Sequence, residues 1–315
     1  MKRSFANAAM ASKEKYVTLD QESAQRWVMV AEKNGFVEVM GFKLFYRSFG
    51  AGDDVLLCLH GGPGVPHYYL LPLAKLANDK FRVILYDQLG VGSSEKPEDL
   101  TLFNIERGAD EVDGVRKALG LGRMNLLGSS YGGALALQYA LKYQEHIRKL
   151  VIASGLSSVP LTVSEMTRLK TQLPKETQEV MKKYESKFAF LHPEYLKAVD
   201  EYYHNFLCRL PEWPEDVKRA LNELSVPVYF TQNGPNEFTI IGTWKGWDIT
   251  ARLPEIKVPT LVTVGRYDEV TPKVAETIHR GIPGSVLRVF EKSAHLTMWD
   301  EEKEYLRVVK EFLAG

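Results

Sequence analysis

The stretch Leu126-Leu127-Gly128-Ser129-Ser130-Tyr131-Gly132-Gly133 decides the fold, and Ala134, Leu135, Ala136 and Leu137 continue it at helical spacing. An apolar run, a Gly-x-Ser-x-Gly and an apolar helix start read as strand, sharp turn and helix. A nucleophile held in such a turn takes strained backbone angles, which are tolerated only if the residues two before and two after carry almost no side chain. Gly128 and Gly132 stand there. Ser130 would project above the strand end, and the N–H of Tyr131, in the first helical turn, would point to where negative charge develops on an attacked carbonyl.

Outward from this turn, apolar runs alternate with helical periods. Residues 55–59 lead into His60-Gly61-Gly62-Pro63-Gly64, and residues 81–86 into Asp87-Gln88-Leu89-Gly90-Val91-Gly92-Ser93-Ser94. Runs of this kind belong to strands covered on both faces. Residues 104–119 carry Ile105, Ala109, Val112, Val115 and Leu119 on one helical side, and residues 149–153 read as another buried strand. Upstream, residues 36–49 read as a hairpin about Met40-Gly41. Before that, Ala24, Trp27, Val28 and Ala31 predict a helix over 20–33 stopped by Asn34-Gly35, preceded by a frayed arm.

Between about residues 156 and 250 the alternation stops. Segments opening at Ser164, Pro174, Pro193 and Pro214 continue with helical periodicity, clearest at Leu196, Val199, Tyr203, Phe206, Leu207 and Leu210. Strand and helix then resume over 260–264, 272–280, 285–290 and 301–313. The pattern predicts an α/β architecture: a mostly parallel sheet with helices on both faces, a helical insert, and a working site at the carboxyl ends of the strands.

Composition narrows the function. The chain has 315 residues, 45% of them hydrophobic and 25% charged, an ordinary balance for a soluble globular protein. Forty basic residues offset forty acidic ones, so nothing favours nucleic acid or an anionic membrane as partner. No window approaches the roughly 18 continuous apolar residues of a membrane span. The first dozen residues lack the apolar segment of a secretory signal. Cys58 and Cys208 read as buried thiols, which fits a reducing, cytoplasmic setting. The seven histidines form no His-Glu-x-x-His and there is no Cys pair at zinc spacing, so neither a metal nor a cofactor is expected. Oligomeric state is not encoded in any motif.

Three post-strand loops carry complementary groups. Ser130 is followed in chain order by Asp268 in Gly265-Arg266-Tyr267-Asp268-Glu269 and by His295 in Glu291-Lys292-Ser293-Ala294-His295. A serine hydroxyl needs a base to take its proton, and imidazole suits that task near neutral pH. Asp268 would fix the tautomer of His295 and stabilise its charged form. Gly62 lets the backbone approach a substrate, so that its N–H and that of Tyr131 would form an oxyanion hole. Serine, rather than a carboxylate, at position 130 points to acyl transfer from an ester or amide.

With these motifs the chain resembles the proline iminopeptidases (prolyl aminopeptidases) of the α/β-hydrolase fold, and especially their archaeal tricorn-associated branch. The resemblance rests on His60-Gly61-Gly62-Pro63-Gly64, Asp87-Gln88 with Gly90-x-Gly92, Gly128-Ser129-Ser130-Tyr131-Gly132-Gly133, Asn233-Gly234-Pro235-Asn236-Glu237-Phe238-Thr239, and Gly265-x-Tyr267-Asp268-Glu269-Val270-Thr271-Pro272. It covers roughly residues 36–313. It implies an α/β-hydrolase core over 36–155 and 251–315, a helical cap over 156–250, and an N-terminal arm and helix over 1–35 outside the motif set. It also implies that Glu237 and Glu269 hold a substrate's free α-ammonium group, which a carboxylate pair does well through charge-assisted hydrogen bonds. Leu89 stands where many bacterial members carry arginine. The expected activity is removal of N-terminal proline, or another small to medium apolar residue, from short peptides or aminoacyl substrates. Alternatives are an amino-acid amidase, a carboxylesterase or lactonase with the same triad, and a non-catalytic binding protein of this fold.

Overall fold

The computed structural model describes residues 32–315. Eight strands form one sheet in the order β1-β2-β4-β3-β5-β6-β7-β8: β1 (Glu32–Val39), β2 (Phe42–Phe49), β3 (Asp54–Leu59), β4 (Phe81–Tyr86), β5 (Met124–Ser129), β6 (Ile147–Ala153), β7 (Thr260–Gly265) and β8 (Val286–Phe290). From β4 across to β8 every pairing is parallel, while β1 and β2 form the expected hairpin and add antiparallel to β4. This is the mostly parallel sheet that the strand–helix alternation predicts and that the resemblance to α/β-hydrolases implies. The helix expected over 20–33 falls mostly outside the described residues, and its last two positions are corrected. Glu32 and Lys33 pair with Phe49 and Ser48 as the start of β1, and Asn34-Gly35 continue the strand instead of stopping a helix. Ladder hydrogen bonds and a Glu32–Arg47 ion pair of 2.7 Å outweigh local helical spacing there.

The central strands read as apolar runs because both faces are covered. Leu56, Leu57, Cys58 and Leu59 of β3 are wholly buried, each leucine contributing about 2 kcal/mol of burial. One face packs against α1 (Ile105–Ala118), α2 (Tyr131–Tyr143) and α8 (Pro272–Gly281); the other packs against a 3-10 segment, His67–Leu76, and the terminal helix Glu302–Ala314. Asn104 caps α1 through its side chain, which accepts the N–H of Arg107. At the sheet edge, β8 is open on one side and Val286 is 53% exposed.

Between β6 and β7 the chain leaves the sheet for five helices: α3 (Val159–Lys170), α4 (Lys175–Glu185), α5 (Pro193–Phe206), α6 (Glu215–Asn222) and α7 (Val226–Gln232). Pro174, Pro193 and Pro214 open helices as expected. Ser164 does not. Helix α3 begins five residues earlier, where Ser158 accepts the N–H of Leu161 and Pro160 occupies the first turn. Glu165 of α3 fastens this insertion to the core, taking Thr271 Oγ1 and Lys273 Nζ at 3.0 Å each. No described helix is long and apolar enough to cross a membrane.

Candidate active site

The turn between β5 and α2 is as tight as its glycines require. A Cβ on Gly128 would lie 2.0 Å from the carbonyl oxygen of Gly132, and one on Gly132 would lie 2.2 Å from that of Leu59. Side chains at either position would push the turn off the sheet. Ser130 sits between them at φ 58° and ψ −123°, a conformation of about 1–3 kcal/mol that only a well-packed surround sustains. Its N–H is fixed to Ala153 O at 2.9 Å.

The loops after β7 and β8 meet beside this turn. His295 Nδ1 donates to Asp268 Oδ1 at 2.7 Å, and the same oxygen accepts the Val270 N–H at 2.8 Å. Asp268 Oδ2 is buried without a partner. The proton on Nδ1 leaves Nε2 of His295 as the free ring nitrogen. Ser130 and His295 line one cavity, although no hydrogen bond joins the two side chains among the described residues; catalytic contacts of this kind often close only when substrate binds.

The loop after β3 brings backbone donors. Gly61 gives its N–H to Tyr69 Oη at 2.6 Å, whereas the N–H of Gly62, at φ +115°, has no acceptor within the described protein. The N–H of Tyr131 is likewise one of the unsatisfied donors of a helix's first turn. His60 is structural: Gln88 donates its N–H to His60 Nε2 at 3.0 Å, and burial pulls the imidazole down to about 4 against the opposing charge of Asp87. Asp87 in turn holds the N–H of Ser93 and the ring of His67, so the Asp87–Ser94 turn is a strut under the site.

Two carboxylates complete the site, and their surroundings differ. Glu237, half-buried after α7, accepts Tyr203 Oη on one oxygen at 2.5 Å and Tyr229 Oη on the other at 2.6 Å. Burial and the Glu237 charge hold both phenols well above their ordinary range, so they remain donors. Glu269 is 3% exposed, its Oε2 has no partner, and burial pushes it up to about 8, Glu237 and Asp268 adding to the rise and His295 opposing it. For His295 burial favours the neutral ring. Asp268, by charge and hydrogen bond, and then Glu269 and Glu237 outweigh it and raise the group to about 9.

Two chambers meet at Ser130. The larger is lined by Gly62, Ser130, Glu237, Glu269 and His295 with an apolar far wall. The smaller shares Gly62, Ser130, Glu237 and Glu269 but not His295, and is walled by Leu156, Met166, Ile240, Trp244 and Val270. Tyr131 forms part of that wall, its ring edge-on to Trp244 at 4.9 Å and its hydroxyl on Gln232 Oε1 at 2.6 Å. Every residue singled out from the motifs, Ser130, Asp268, His295, Gly62, Tyr131, Glu237 and Glu269, therefore falls in or directly behind this one site.

The motifs did not reveal what holds it together. Tyr203 stands out only as one apolar position in a helical period, Tyr229 lies in a segment with no helical signature, and Tyr69 follows a glycine loop. The Phe206 carbonyl, at the end of α5, accepts the N–H groups of both Glu269 (3.1 Å) and His295 (3.2 Å), stitching two strand-end loops to the insertion. A backbone acceptor leaves no mark in a sequence. Among the described residues no group of three or more His, Cys, Asp or Glu is placed to hold a metal ion. The arrangement can activate a hydroxyl, receive an oxyanion and anchor a cation.

Comparison with known proteins bears on the family and the fold. A family model described as alpha/beta hydrolase fold matches residues 54–302. The proline iminopeptidase of Saccharolobus solfataricus is 48% identical over 285 residues, covering 89% of this chain and 92% of that protein. The proline iminopeptidase of Thermoplasma volcanium is 47% identical over 285 residues, with 89% and 96% covered. The crystal structure of proline iminopeptidase from Mycobacterium smegmatis superposes with a TM-score of 0.84 at 32% identity, covering 90% of this chain and 98% of that one.

Proposed function

The chain belongs to the proline iminopeptidases of the alpha/beta hydrolase fold family, and we propose from the chemistry of its site how it releases an N-terminal proline. The enzyme is a serine hydrolase acting on peptides. Ser130 Oγ attacks the first carbonyl while His295 Nε2 takes its proton. The oxyanion settles between the N–H groups of Gly62 and Tyr131, worth several kcal/mol in the transition state. The C–N bond then breaks, and His295 returns the proton to the leaving amine. Water, activated by the same imidazole, hydrolyses the prolyl ester on Ser130. Asp268 keeps the ring oriented throughout.

Glu237 and Glu269 receive the secondary ammonium of the terminal proline. The chamber they share with Ser130 but not with His295 takes the pyrrolidine ring, because the acyl side must lie away from the acid that protonates the leaving nitrogen. Its apolar lining also suits other small to medium apolar first residues. Arrival of the ammonium favours the ionised form of Glu269 and offsets the negative charge of Glu237 and Glu269 that helps raise His295, freeing the ring to act as base. The helices over residues 156–250 act as a cap that restricts entry to short peptides.

The observation that carries this reading is that Glu237 and Glu269 line the same chamber as Ser130 and His295. Hydrolysis of proline 4-nitroanilide compared with its N-acetyl form tests it. Acetylation removes the charge, and kcat/KM is expected to fall about 100-fold or more. Equal rates would reject the ammonium anchor, and far faster turnover of simple acyl esters would favour a carboxylesterase.

A further inference from the structure

The larger chamber extends well past the reacting groups, and its wall has a consistent chemistry. Val65 comes from the loop after β3, Leu207 from the end of α5, Val217, Ala220 and Leu221 from α6, and Leu296 follows the catalytic imidazole. Val217 and Ala220 are 1% exposed, and Leu221 is half-buried at the wall. No lysine or arginine lines the space. Arg219, on the same helix, is drawn away to Tyr68, with its guanidinium 3.8 Å from the ring centroid and an Nη2–Oη hydrogen bond of 2.8 Å, and to Glu223. The charges facing the chamber are those of Glu237, Glu269 and His295.

Proton delivery fixes which part of the substrate enters. His295 borders this chamber and not the smaller one, and it must reach the nitrogen that departs. On the reading of the enzyme as an aminopeptidase, we infer that the chamber walled by α6 is the leaving-group site and that it selects substrates whose second residue, or departing amine, is apolar and uncharged. An acidic second side chain would lose its hydration against leucine and valine, meet two carboxyl groups and find no lysine or arginine along the wall. A basic one would compete with the α-ammonium for Glu237 and Glu269 and bind the peptide out of register. An apolar one covers the wall and expels water from around the acyl bond.

A matrix of first and second residues tests this, using Pro-Leu-NH2, Pro-Asp-NH2 and Pro-Lys-NH2 beside Ala-Leu-NH2, with proline 4-nitroanilide as the control. The expected result is that kcat/KM for Pro-Leu-NH2 exceeds that for Pro-Asp-NH2 by about 100-fold. Leu221→Arg should narrow this ratio about 10-fold by supplying the missing cation, and Leu221→Ala should lower turnover of Pro-Leu-NH2 several-fold without helping Pro-Asp-NH2, thermal melts reporting that both variants fold. Ratios within about threefold in the parent enzyme would overturn the inference, as would Leu221 variants that change the choice of first residue but not of second. Failure to cleave the control anilide would instead reject the aminopeptidase reading itself.

Discussion

The strand-end loops and the helical insertion supply opposite halves of the site by different means. In the loops, position is set by backbone: Gly128 and Gly132 leave no space for a Cβ, Ser130 is held at positive φ, and the acceptor of His295 is a buried aspartate at 2.7 Å. In the insertion, position is set by side-chain hydrogen bonds. Glu237 is half-buried and is aimed by two phenols from separate helices. Close packing tolerates no adjustment, whereas a network of hydroxyls around a half-exposed carboxylate can re-form with water. Chemistry should therefore fail outright when the loops are altered, and recognition should fade by degrees when the insertion is altered.

The largest effect sharpens that contrast. Ser130→Ala removes only the attacking oxygen, and the small side chain fits the turn that serine already fits. Single-turnover assays with proline 4-nitroanilide should show kcat reduced about a million-fold, with the thermal midpoint close to that of the parent. Full turnover in this variant would remove Ser130 from the mechanism.

The same contrast explains what could be read from the residues alone. Buried parallel strands announce themselves as apolar runs, and β3, β5 and β6 stand where such runs stand. The glycines of the Ser130 turn are legible because their reason is local. The insertion is harder. Helix α3 starts at Val159 under a Ser158 cap that a period count from Ser164 misses, and Leu196, an apolar member of the α5 period, is 49% exposed. Helix α7 is Val-Pro-Val-Tyr-Phe-Thr-Gln, a β-branched and aromatic composition that tertiary contacts turn helical. Tyr203 and Tyr229 were visible as aromatics, but the direction of a phenol depends on how two helices pack, which neither helix specifies by itself.

A middle-sized effect lies where the regions touch. Glu269 belongs to the loop of Asp268, yet its charge couples to Glu237 of the insertion and to His295. Since kcat/KM reports ionisations of the free enzyme, and the base must be neutral, the rate should climb with pH through the His295 titration near 9. Glu269→Gln deletes one anion that favours the imidazolium. The imidazole should lose its proton more readily, moving the rising limb to lower pH by about one unit, while kcat/KM at its plateau should fall roughly 10-fold if Glu269 anchors the ammonium. The substrate's own amine titrates identically in both profiles, so it cancels in the difference. A limb that stays in place, or moves upward, would mean that the Glu269 charge does not reach the ring.

The smallest effect probes the insertion alone. Tyr203→Phe and Tyr229→Phe each delete one hydroxyl donor to Glu237 and leave the aromatic packing intact. Because Glu237 is half-buried, water can take each vacated position, and the net loss should be about 1 kcal/mol, or roughly fivefold in KM. On the proposed reading Glu237 would hold the ammonium equally in the ground and transition states, so kcat should scarcely move. The double variant should cost more than the two singles combined, since either phenol alone fixes one carboxylate oxygen and so restrains the rotation of the other. A fall in kcat with KM unchanged, in either single variant, would show instead that the insertion shares in the chemical step and would erase the division between the two regions.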